Sequence, residues 1–288
     1  MATLREVRKR IRTVVSTRRI TNAMQMVAAA KLRRAQQRVV QARPYADKMD
    51  QMLGQLAAGT TEEILHPFFE ERTIKKKTLV IFTSDRGLCG SYNSNIIRRA
   101  MRWIDESGDV EIELVTIGKK GNDFFKRRPY TIANYYGDWG GVLDYEKARH
   151  IVSFLTERFV SGQTDEISLL FTRFLSMVKY RITRERYLPV ARPEVADETG
   201  LTKDYIFEPS PDKIYAALMP GYATTKMVTA LVESFASEHG SRMIAMSAAT
   251  KNAGEMIDNL TLEYNKARQA QITKELLEVV SGAEALKG

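Results

Sequence analysis

The strongest candidate for chemistry is a glycine-containing loop between an apolar run and a helical pattern. It reads SDRGLCGSYNSN over residues 84–95, and α/β proteins often bind phosphate groups at such strand-to-helix turns. Its glycines, Gly87 and Gly90, fit neither the dinucleotide-binding fingerprint nor the P-loop. Asp85 and Cys89 lie close in sequence, but no pattern marks a histidine that would activate the thiol. The spacing therefore favours a tight turn over a catalytic site.

Metal, redox and phosphate chemistry have no better candidate elsewhere in the sequence. Cys89 is the single cysteine, so the chain has no internal disulfide and no cysteine-based metal site. The histidines, His66, His150 and His239, lack the spacing of metal ligands. The lysines of GKKGN, residues 118–122, are better explained by a turn than by a phosphate site. We therefore expect no catalytic residue, no cofactor and no metal.

The net charge of +9 is concentrated near the N-terminus. Residues 1–60 contain 13 Lys and Arg against 3 Asp and Glu. Residues 61–211 contain 23 of each, and residues 212–288 contain 8 against 9. Basic charge confined to one segment predicts an anionic partner for that segment.

The basic segment also has the periodicity of a coiled-coil helix. With Leu4 as position a of a heptad, thirteen of the sixteen a and d positions up to Leu56 are apolar. The polar interruptions are Arg18, Thr21 and Gln25. Pro44 falls on the outer face, so we expect a kink near it and not an end of the helix.

A second helical pattern occupies the C-terminal part of the chain. Apolar and small residues follow a 3,4 spacing from residue 214 onwards, and Pro220-Gly221 is expected to break or kink its start. Pairing the two rods would bury both stripes, at roughly 1.5–3 kcal/mol for each large apolar side chain. We therefore predict that residues 4–56 and 222–286 form an antiparallel coiled coil.

The middle of the chain alternates strand and helix patterns, which predicts a largely parallel open sheet. Predicted strands are 78–84, 110–118 and 166–174, with a further strand or hairpin arm within 177–190. The fold class is therefore α/β, with a long antiparallel coiled coil of the N- and C-terminal helices and a central open, Rossmann-like domain. The predicted division is residues 1–60 and 212–288 for the two coiled-coil helices and residues 61–211 for the α/β domain.

Nucleic-acid and membrane partners fit the basic helix less well. The middle of the chain has no aromatic RNA-binding motif, and the apolar seam runs the whole length of the helix. A helix lying on a membrane needs a broad face of bulky apolar residues, whereas this seam is narrow and rich in alanine. No apolar run approaches the roughly 20 residues of a membrane-spanning helix.

Several strings, in order along the whole chain, resemble the gamma subunits of F-type ATP synthases. They are RITNAMQMVAAAKLRRAQ, RPYA, SDRGLCGSYNSN and the long C-terminal string SEHGSRMIAMSAATKNAGEMIDNLTLEYNKARQAQITKELLEVVSGAEAL. Asn22 departs from the pattern, because many relatives have a lysine there. The chain lacks a long insertion with paired cysteines, so it is similar to the bacterial type.

The resemblance implies a role, partners and a location. Paired terminal helices of this family form the central rotor shaft inside a ring of three alpha and three beta subunits. The α/β domain lies near the epsilon subunit and the ring of c-subunits, and rotation driven by protons or sodium ions is coupled to ATP synthesis or hydrolysis in the ring. The chain would be a non-catalytic subunit, peripheral to the membrane at the cytoplasmic face of a bacterial plasma membrane, and would bind no nucleic acid.

The resemblance also implies two contacts with the beta subunits. The basic face that includes Lys31, Arg33 and Arg34 would meet acidic loops, and Arg268 with Gln269 would meet a loop that helps to set the conformation of one beta subunit. Two other interpretations of the residues stay open: a non-rotary coiled-coil scaffold and a nucleotide-binding α/β protein.

Overall fold

The computed structural model describes residues 3–58, 66–177, 179–191 and 210–285. Long helices stand at both ends of the chain, with alternating strands and shorter helices between them. The helices are α1 Leu4–Ala58, α2 Tyr92–Glu106, α3 Lys119–Phe125, α4 Tyr145–Val160 and α5 Pro211–Ala285, with a short 3₁₀ helix at Pro67–Phe69. The strands are β1 Lys76–Phe82, β2 Glu111–Ile117, β3 Thr131–Tyr136, β4 Glu166–Phe174 and β5 Tyr180–Leu188.

The strands of the described residues form a five-stranded sheet in the order β3-β2-β1-β4-β5. The pairs within β3-β2-β1-β4 are parallel, and β5 runs antiparallel to β4. This is the arrangement of a doubly wound α/β sheet with an antiparallel edge strand. The predicted α/β fold class is confirmed, and the extended segment after β4 is the hairpin arm β5. Strand β3 was not predicted from the sequence.

Helices cover both faces of the sheet because each strand alternates its side chains between them. On one face α2 and α3 pack on a core that includes Leu79, Leu114 and Phe125. Glu113 points to the opposite face, where the Arg158 side chain of α4 donates to its carboxylate at 2.7 Å. The parallel strands are therefore covered on both sides, which explains their nearly continuous apolar sequences.

The chain divides into two compact units, and each long helix contributes to both. The larger unit is Ala28–Arg242, and the smaller unit consists of Met1–Val27 with Met243–Gly288. The division at residues 60 and 211 predicted from the sequence stays a prediction.

In the larger unit the second part of α1 packs antiparallel to the first part of α5. The Lys226 ammonium lies 2.8 Å from the Asp50 carboxylate, and Leu32 approaches Gly240. Residue numbers therefore rise along α1 as they fall along α5. The seam residues predicted from the heptad are buried here, apart from Ala42, which is half-buried; the buried ones are Ala28, Leu32, Ala35, Val39, Ala46, Met49, Leu53 and Leu56.

In the smaller unit the first part of α1 also runs antiparallel to α5. The Arg8 guanidinium donates to the Tyr264 hydroxyl at 2.6 Å, and the Thr250 hydroxyl donates to that of Thr21 at 2.8 Å. Val7 is buried at the seam. The predicted antiparallel coiled coil of the terminal helices is thus confirmed in each unit.

The extent of the α5 pairing differs from the prediction at both ends. The helix does not break at Pro220 but begins at Pro211. At the other end, residues 268–283 are exposed, including Ala270, which was predicted to lie in the seam. Because α1 begins at Leu4, opposite the region of Tyr264, it has no further turn to pair with them. The predicted pairing is therefore wrong over residues 268–283, and its predicted end at residue 286 lies outside the described residues.

One part of α5 is buried on every side, although a paired helix normally keeps one face in solvent. Residues 231–241 are all buried. Several of them are polar, namely Glu233, Ser234, Ser237, Glu238, His239 and Ser241. Glu233, Ser237 and His239 bond to groups outside α5, whereas the hydroxyls of Ser234 and Ser241 have no hydrogen-bond partner among the described residues. The bonded groups show that the helices join the α/β domain at this segment.

Candidate functional site

An ion pair with a buried carboxylate joins both long helices to the end of β4. The Glu233 carboxylate of α5 accepts hydrogen bonds from Arg43 of α1 at 3.0 and 2.8 Å. It also accepts one from the backbone N–H of Phe174 at 2.6 Å, and Arg43 donates to the carbonyl of Phe174 at 2.6 Å. Three elements thus meet at one charge-assisted cluster, which we call the shaft bridge (Arg43, Glu233 and the backbone of Phe174).

The turn between β3 and α4 is hydrogen-bonded to the glycine-containing loop at residues 84–95. The Asp85 carboxylate accepts hydrogen bonds from the backbone N–H groups of Lys119, Asp138, Trp139 and Gly140, at 2.7 to 3.2 Å. In doubly wound sheets a ligand usually binds outside the carboxyl ends of the strands. Here Asp85, which follows β1, is occupied by backbone groups of the protein itself.

The same turn is also held by both long helices. The Lys31 ammonium of α1 donates to the Gly140 carbonyl at 2.9 Å, and His239 Nε2 of α5 lies 3.0 Å from the Gly141 carbonyl oxygen. Gly141 has a φ of 72°, and a Cβ atom there would lie 2.5 Å from the His239 ring. Glycine is therefore required for the close approach of turn and helix.

Asp85, Lys31, Gly140, Gly141 and His239 thus form a joint between the turn and the two long helices. Burial determines the charge state of its histidine. His239 is only 2% exposed, and burial lowers its pKa from 6.5 to about 4. Nearby Arg242 and Lys31 oppose protonation as well, whereas the bond to Gly141 favours it. The imidazole is therefore neutral at pH 7 and donates to the Gly141 carbonyl through Nε2–H.

Arg242 fixes the loop after β1 to α5. It pairs with Glu238 at 2.7 Å, with side-chain exposures of 12% and 7%, and donates to the carbonyls of Arg86 and Gly87 at 3.1 and 3.3 Å. Burial raises the pKa of Glu238, and the charge of Arg242 opposes that shift. Both ends of the guanidinium are thus used to hold the α/β domain against the helix.

This joint was not predicted from the sequence, although it left two signals there. One is the run ESFASEHGSR, in which polar residues stand on every face of a helix. The other is GDWGG at residues 137–141, a turn motif with three glycines. Neither pattern indicates its partner, because the groups are about 100 residues apart in sequence, as in the 98-residue separation of Gly141 and His239.

Cys89 is built as a core residue and not as a nucleophile. Its side chain is 2% exposed, and Asn93 Nδ2 lies 3.2 Å from its sulfur. Burial raises the pKa of the thiol, so it stays protonated near neutral pH. The interpretation of the loop as a tight turn agrees with Leu88 and Gly90, whose φ values are 62° and 59°.

We predict that Cys89→Ser leaves the stability of the fold within about 1 kcal/mol of the wild type. The serine hydroxyl keeps partners in Ser84, Asn93 and the Arg86 carbonyl, which all surround the sulfur. Thermal unfolding measures the effect. Cys89→Ala is the control, since it leaves the Asn93 amide without that contact. A loss of stability well above about 1 kcal/mol in the Ser variant would contradict the prediction.

The predicted basic contact residues do not form one uniform surface. Arg33 and Arg34 are exposed, and no described residue accepts a hydrogen bond from either guanidinium. Lys31 is half-buried and already bonded to the Gly140 carbonyl. Arg34 and Arg38 border a hollow of about 130 Å³ whose floor is largely apolar. Arg33 and Arg34 are thus available to a partner, whereas Lys31 also serves the joint.

Arg268 and Gln269 lie in the smaller unit, on the exposed part of α5. No described residue accepts a hydrogen bond from the Arg268 side chain. The backbone carbonyl of Gln269 accepts one from the Thr273 hydroxyl within the helix. The neighbouring surface is unusually apolar for an exposed helix. Its exposed apolar residues are Leu262, Ile272, Leu276, Leu277, Val279 and Val280. Exposed apolar surface of this kind is typical of a region that another chain covers.

Metal-binding clusters and membrane-spanning helices are both absent from the part of the chain that the structure describes. The described residues contain no group of three or more His, Cys, Asp and Glu side chains placed to hold a metal ion. Within the same ranges, no helix has a stretch long and apolar enough to cross a membrane.

Curated relatives match this chain from end to end. The ATP synthase gamma chain of Moorella thermoacetica is 47% identical over 287 residues, which cover 100% of both sequences. The gamma chains of Geotalea uraniireducens and of Anaeromyxobacter sp. strain Fw109-5 are 46% and 45% identical, again over 100% of both sequences.

Solved structures share the fold. The chain matches one in the central stalk and c-ring structure of the Tetrahymena thermophila mitochondrial ATP synthase, with 25% identity and a TM-score of 0.60, covering 80% of this chain and 99% of that one. It also matches a chain of the Euglena gracilis mitochondrial enzyme with a TM-score of 0.70 and 17% identity, covering 98% of this chain and 94% of that one. The second likeness supports the fold alone.

Paired terminal helices fixed to a doubly wound α/β domain define the class of protein: a coiled-coil shaft with an attached domain. The family model described as ATP synthase matches residues 3–286. The chain belongs to the ATP synthase gamma-chain family. Its function is that of the gamma subunit, which forms the central stalk of F1 in a rotary ATP synthase.

Proposed function

We propose that this chain is the rotor shaft that couples ion-driven rotation of a c-ring to ATP synthesis or hydrolysis in a ring of alpha and beta subunits. The observation that carries the proposal is the antiparallel pairing of α1 and α5, together with the joint that fixes both helices to the sheet. Two supercoiled helices resist bending and twisting better than one. The joint gives torque a path between the α/β domain and the helices.

The proposed partners rest on the exposed surfaces of the chain and on the assemblies in which the matched structures were solved. The Tetrahymena match comes from a central stalk with its c-ring, and the Euglena match from an assembly with OSCP, F1 and the c-ring. For this chain we propose alpha and beta subunits around α1 and α5, and the epsilon subunit and c-ring next to the α/β domain. The coupling ion is a proton or a sodium ion, and no nucleic acid takes part.

Contacts between a rotating shaft and the surrounding ring must be specific in position but individually weak, so that they can break as the shaft turns. Solvated ion pairs contribute roughly 0–1 kcal/mol each, so the free guanidinium groups of Arg33 and Arg34 suit a surface that slides past several acidic loops. An asymmetric shaft contacts each catalytic subunit differently and so biases each toward a different conformation.

We propose further that the chain itself is not catalytic. The position at which doubly wound sheets bind nucleotides is occupied by the bonds of Asp85 to backbone N–H groups and of Arg242 to the Arg86 and Gly87 carbonyls. A phosphate group would have to displace these bonds. Chemistry then belongs to the beta subunits, and the chain works from a peripheral position at the cytoplasmic face of the bacterial plasma membrane.

Reconstitution distinguishes this function from the two alternatives. The purified chain is mixed with alpha and beta subunits of its own enzyme, and ATPase turnover and rotation of a bead on the α/β domain are measured. We expect a stable complex with ATP-driven rotation, and no ATP hydrolysis or nucleotide binding by the chain alone. A complex that hydrolyses ATP without rotation would support a scaffold. Nucleotide binding or turnover by the isolated chain would support a nucleotide-binding α/β protein.

We predict that simultaneous replacement of Lys31, Arg33 and Arg34 by Glu lowers coupled turnover by about three- to ten-fold. Several ion pairs with the ring, each of up to about 1 kcal/mol, would become repulsive. A single alanine at Arg33 or Arg34 is expected to change little. Turnover and ion pumping of the assembled complex are the measurements.

The control for this prediction separates the two roles of Lys31. Arg33→Glu with Arg34→Glu leaves the Lys31 bond to Gly140 intact, and is expected to keep most of the defect. Lys31→Gln alone tests the joint. Normal assembly and normal coupled turnover in the triple variant would count against a basic contact with the ring.

A further inference from the structure

The shaft bridge is the one charged cluster among the described residues in which α1, α5 and the sheet meet at a single carboxylate. We propose that it is the torque-bearing connection between the α/β domain and the two helices. The inference rests on the proposed rotor function and deepens it by naming the positioning residues, Arg43 and Glu233. Neither residue is proposed to touch a partner subunit.

The geometry of the bridge resists displacement in more than one direction. One Glu233 oxygen accepts from Nε and Nη2 of Arg43, and the other accepts from the Phe174 N–H. Arg43 Nη2 also donates to the Phe174 carbonyl. The contacts form a closed ring of charge-assisted bonds, which are shorter and stronger than neutral ones. Sliding either helix along β4 would stretch at least two of them at once.

Solvent access also favours a mechanical role for the bridge. The Glu233 side chain is 3% exposed, whereas the Arg43 side chain is 43% exposed. The carboxylate is therefore held in a site that water screens weakly, while the guanidinium reaches it from the surface. Breaking the contact would leave a buried charge and a buried N–H without partners, which opposes any slip at this point.

Neighbouring bonds continue the connection along the same part of α5. The Ser237 hydroxyl donates to the Thr172 carbonyl of β4 at 3.0 Å. The Tyr92 hydroxyl of α2 donates to the Ser234 carbonyl at 3.3 Å. These bonds are neutral and single, so they align α5 on the domain, whereas the bridge adds α1 to the same cluster.

A second ion pair offers a matched control. Lys226 of α5 and Asp50 of α1 lie 2.8 Å apart, with side-chain exposures of 28% and 45%. This pair joins the same two helices but makes no hydrogen bond to the sheet among the described residues. If only helix pairing mattered, loss of either ion pair would have a similar effect. If the link to the domain matters, only loss of the shaft bridge will lower the torsional stiffness.

The test measures torsional stiffness in the assembled complex. The alpha and beta ring is fixed to a surface, a bead is attached to a cysteine introduced at exposed Arg102 on α2, and rotational fluctuations are recorded in a nucleotide-stalled complex. Glu233→Gln and Arg43→Ala are compared with Asp50→Asn. We expect the two bridge variants to lower stiffness by about two-fold or more, because charge-assisted bonds are lost, and Asp50→Asn to match the wild type.

Coupling under load provides the second readout. Unloaded ATPase turnover of the bridge variants is expected to stay near wild type, while ions pumped per ATP fall against a gradient. Arg43→Lys keeps the charge and is expected to restore part of the stiffness. Should Glu233→Gln fail to assemble, Arg43→Ala carries the test, since its site is partly exposed.

The outcomes separate this inference from the proposed function. A wild-type complex whose bead never rotates with ATP would overturn the rotor function itself. Rotation in the wild type, with equal stiffness and pumping in Arg43→Ala and Asp50→Asn, would overturn the torque-bearing role of the bridge alone. Equal losses in all three variants would assign the effect to helix pairing and would also overturn it.

Discussion

Alanine at both Arg268 and Gln269 is expected to slow ATP hydrolysis by the assembled complex by about one to two orders of magnitude, since 1.4 kcal/mol corresponds to a factor of ten. Both residues lie on the exposed part of α5, where α1 no longer covers the helix. The Arg268 guanidinium has five donors in a rigid fork and no partner among the described residues, which suits it to grip carboxylates or carbonyls of a ring subunit.

The size of the effect follows from desolvation. A charge-assisted hydrogen bond that is lost while its partner stays buried costs about 1.5–3 kcal/mol. If the two side chains stabilise one conformation of a beta subunit, that free energy is removed from one step of the cycle. The coiled coil should stay intact, because neither side chain contacts α1 within the described residues.

Turnover of the assembled double variant is the measurement, with circular dichroism to show that the helices remain. Gln271→Ala is the control, because the Gln271 amide already bonds to Glu275 within the same helix at 3.0 Å and is expected to matter little. Wild-type turnover in a correctly assembled double variant would contradict the prediction. A structure of the assembled complex with both side chains in open solvent would do so too.

Acid is expected to weaken the fold through His239 by about 3 kcal/mol between neutral pH and pH 4. Its pKa is 6.5 in an unfolded chain and about 4 in the fold, because it is buried. The unfolded chain therefore binds the proton more readily between these values. Stability is fully present above pH 6.5, decreases as the pH falls below that value, and the contribution is lost near pH 4.

His239→Gln isolates this effect from other titrating groups. Glutamine can still donate to the Gly141 carbonyl but cannot titrate, so its unfolding free energy should fall less between pH 7 and pH 5. Denaturant unfolding of the purified chain at both values measures the difference. Exposed His150→Gln serves as the control and should keep the wild-type pH dependence. An equal loss in wild type and His239→Gln would show that another group causes the acid sensitivity, with His66, whose pKa is also lowered by burial, the next to test.

The seam of α1 could be predicted from the sequence because its information is local. Every a and d position between Leu4 and Leu56 is buried or half-buried except Arg18. A strict seven-residue repeat determines which face a helix buries, whatever covers that face. The strands β1, β2 and β4 were predictable for a similar reason, since short apolar runs flanked by turns suit a sheet covered on both sides.

The missed features depend on partners that are distant in sequence. Strand β3 contains Asn134 and two tyrosines, is half-exposed at the sheet edge, and so lacks an apolar run. The polar residues of 231–241 suggest a solvent-facing helix until Arg43, Phe174 and Gly141 are placed beside them. The exposed end of α5 keeps the same 3,4 spacing as its paired part, so the sequence predicts a seam there. In the structure α1 does not extend far enough to cover it.

The candidate site was predictable to an uneven degree. The contact residues Lys31, Arg33, Arg34, Arg268 and Gln269 came from charge clustering and from resemblance, and their contacts with a ring stay predictions. The structure adds that Lys31 already holds the Gly140 carbonyl. No local rule pairs a lysine of the first helix with a turn 109 residues away, so its second role became evident only in the fold.

The pairing of the two terminal helices has a consequence for how the chain folds during synthesis. Arg8 and Tyr264 are 256 residues apart, and Thr21 and Thr250 are 229 apart. At typical translation rates the N-terminal helix therefore waits about 10–50 s for the segment that will cover it. Contacts of such high sequence separation form late, whereas the local strand–helix units of the domain can fold as they emerge. The apolar seam of α1 is then exposed on the ribosome until the last part of the chain arrives, which makes it a natural binding site for chaperones that hold nascent chains.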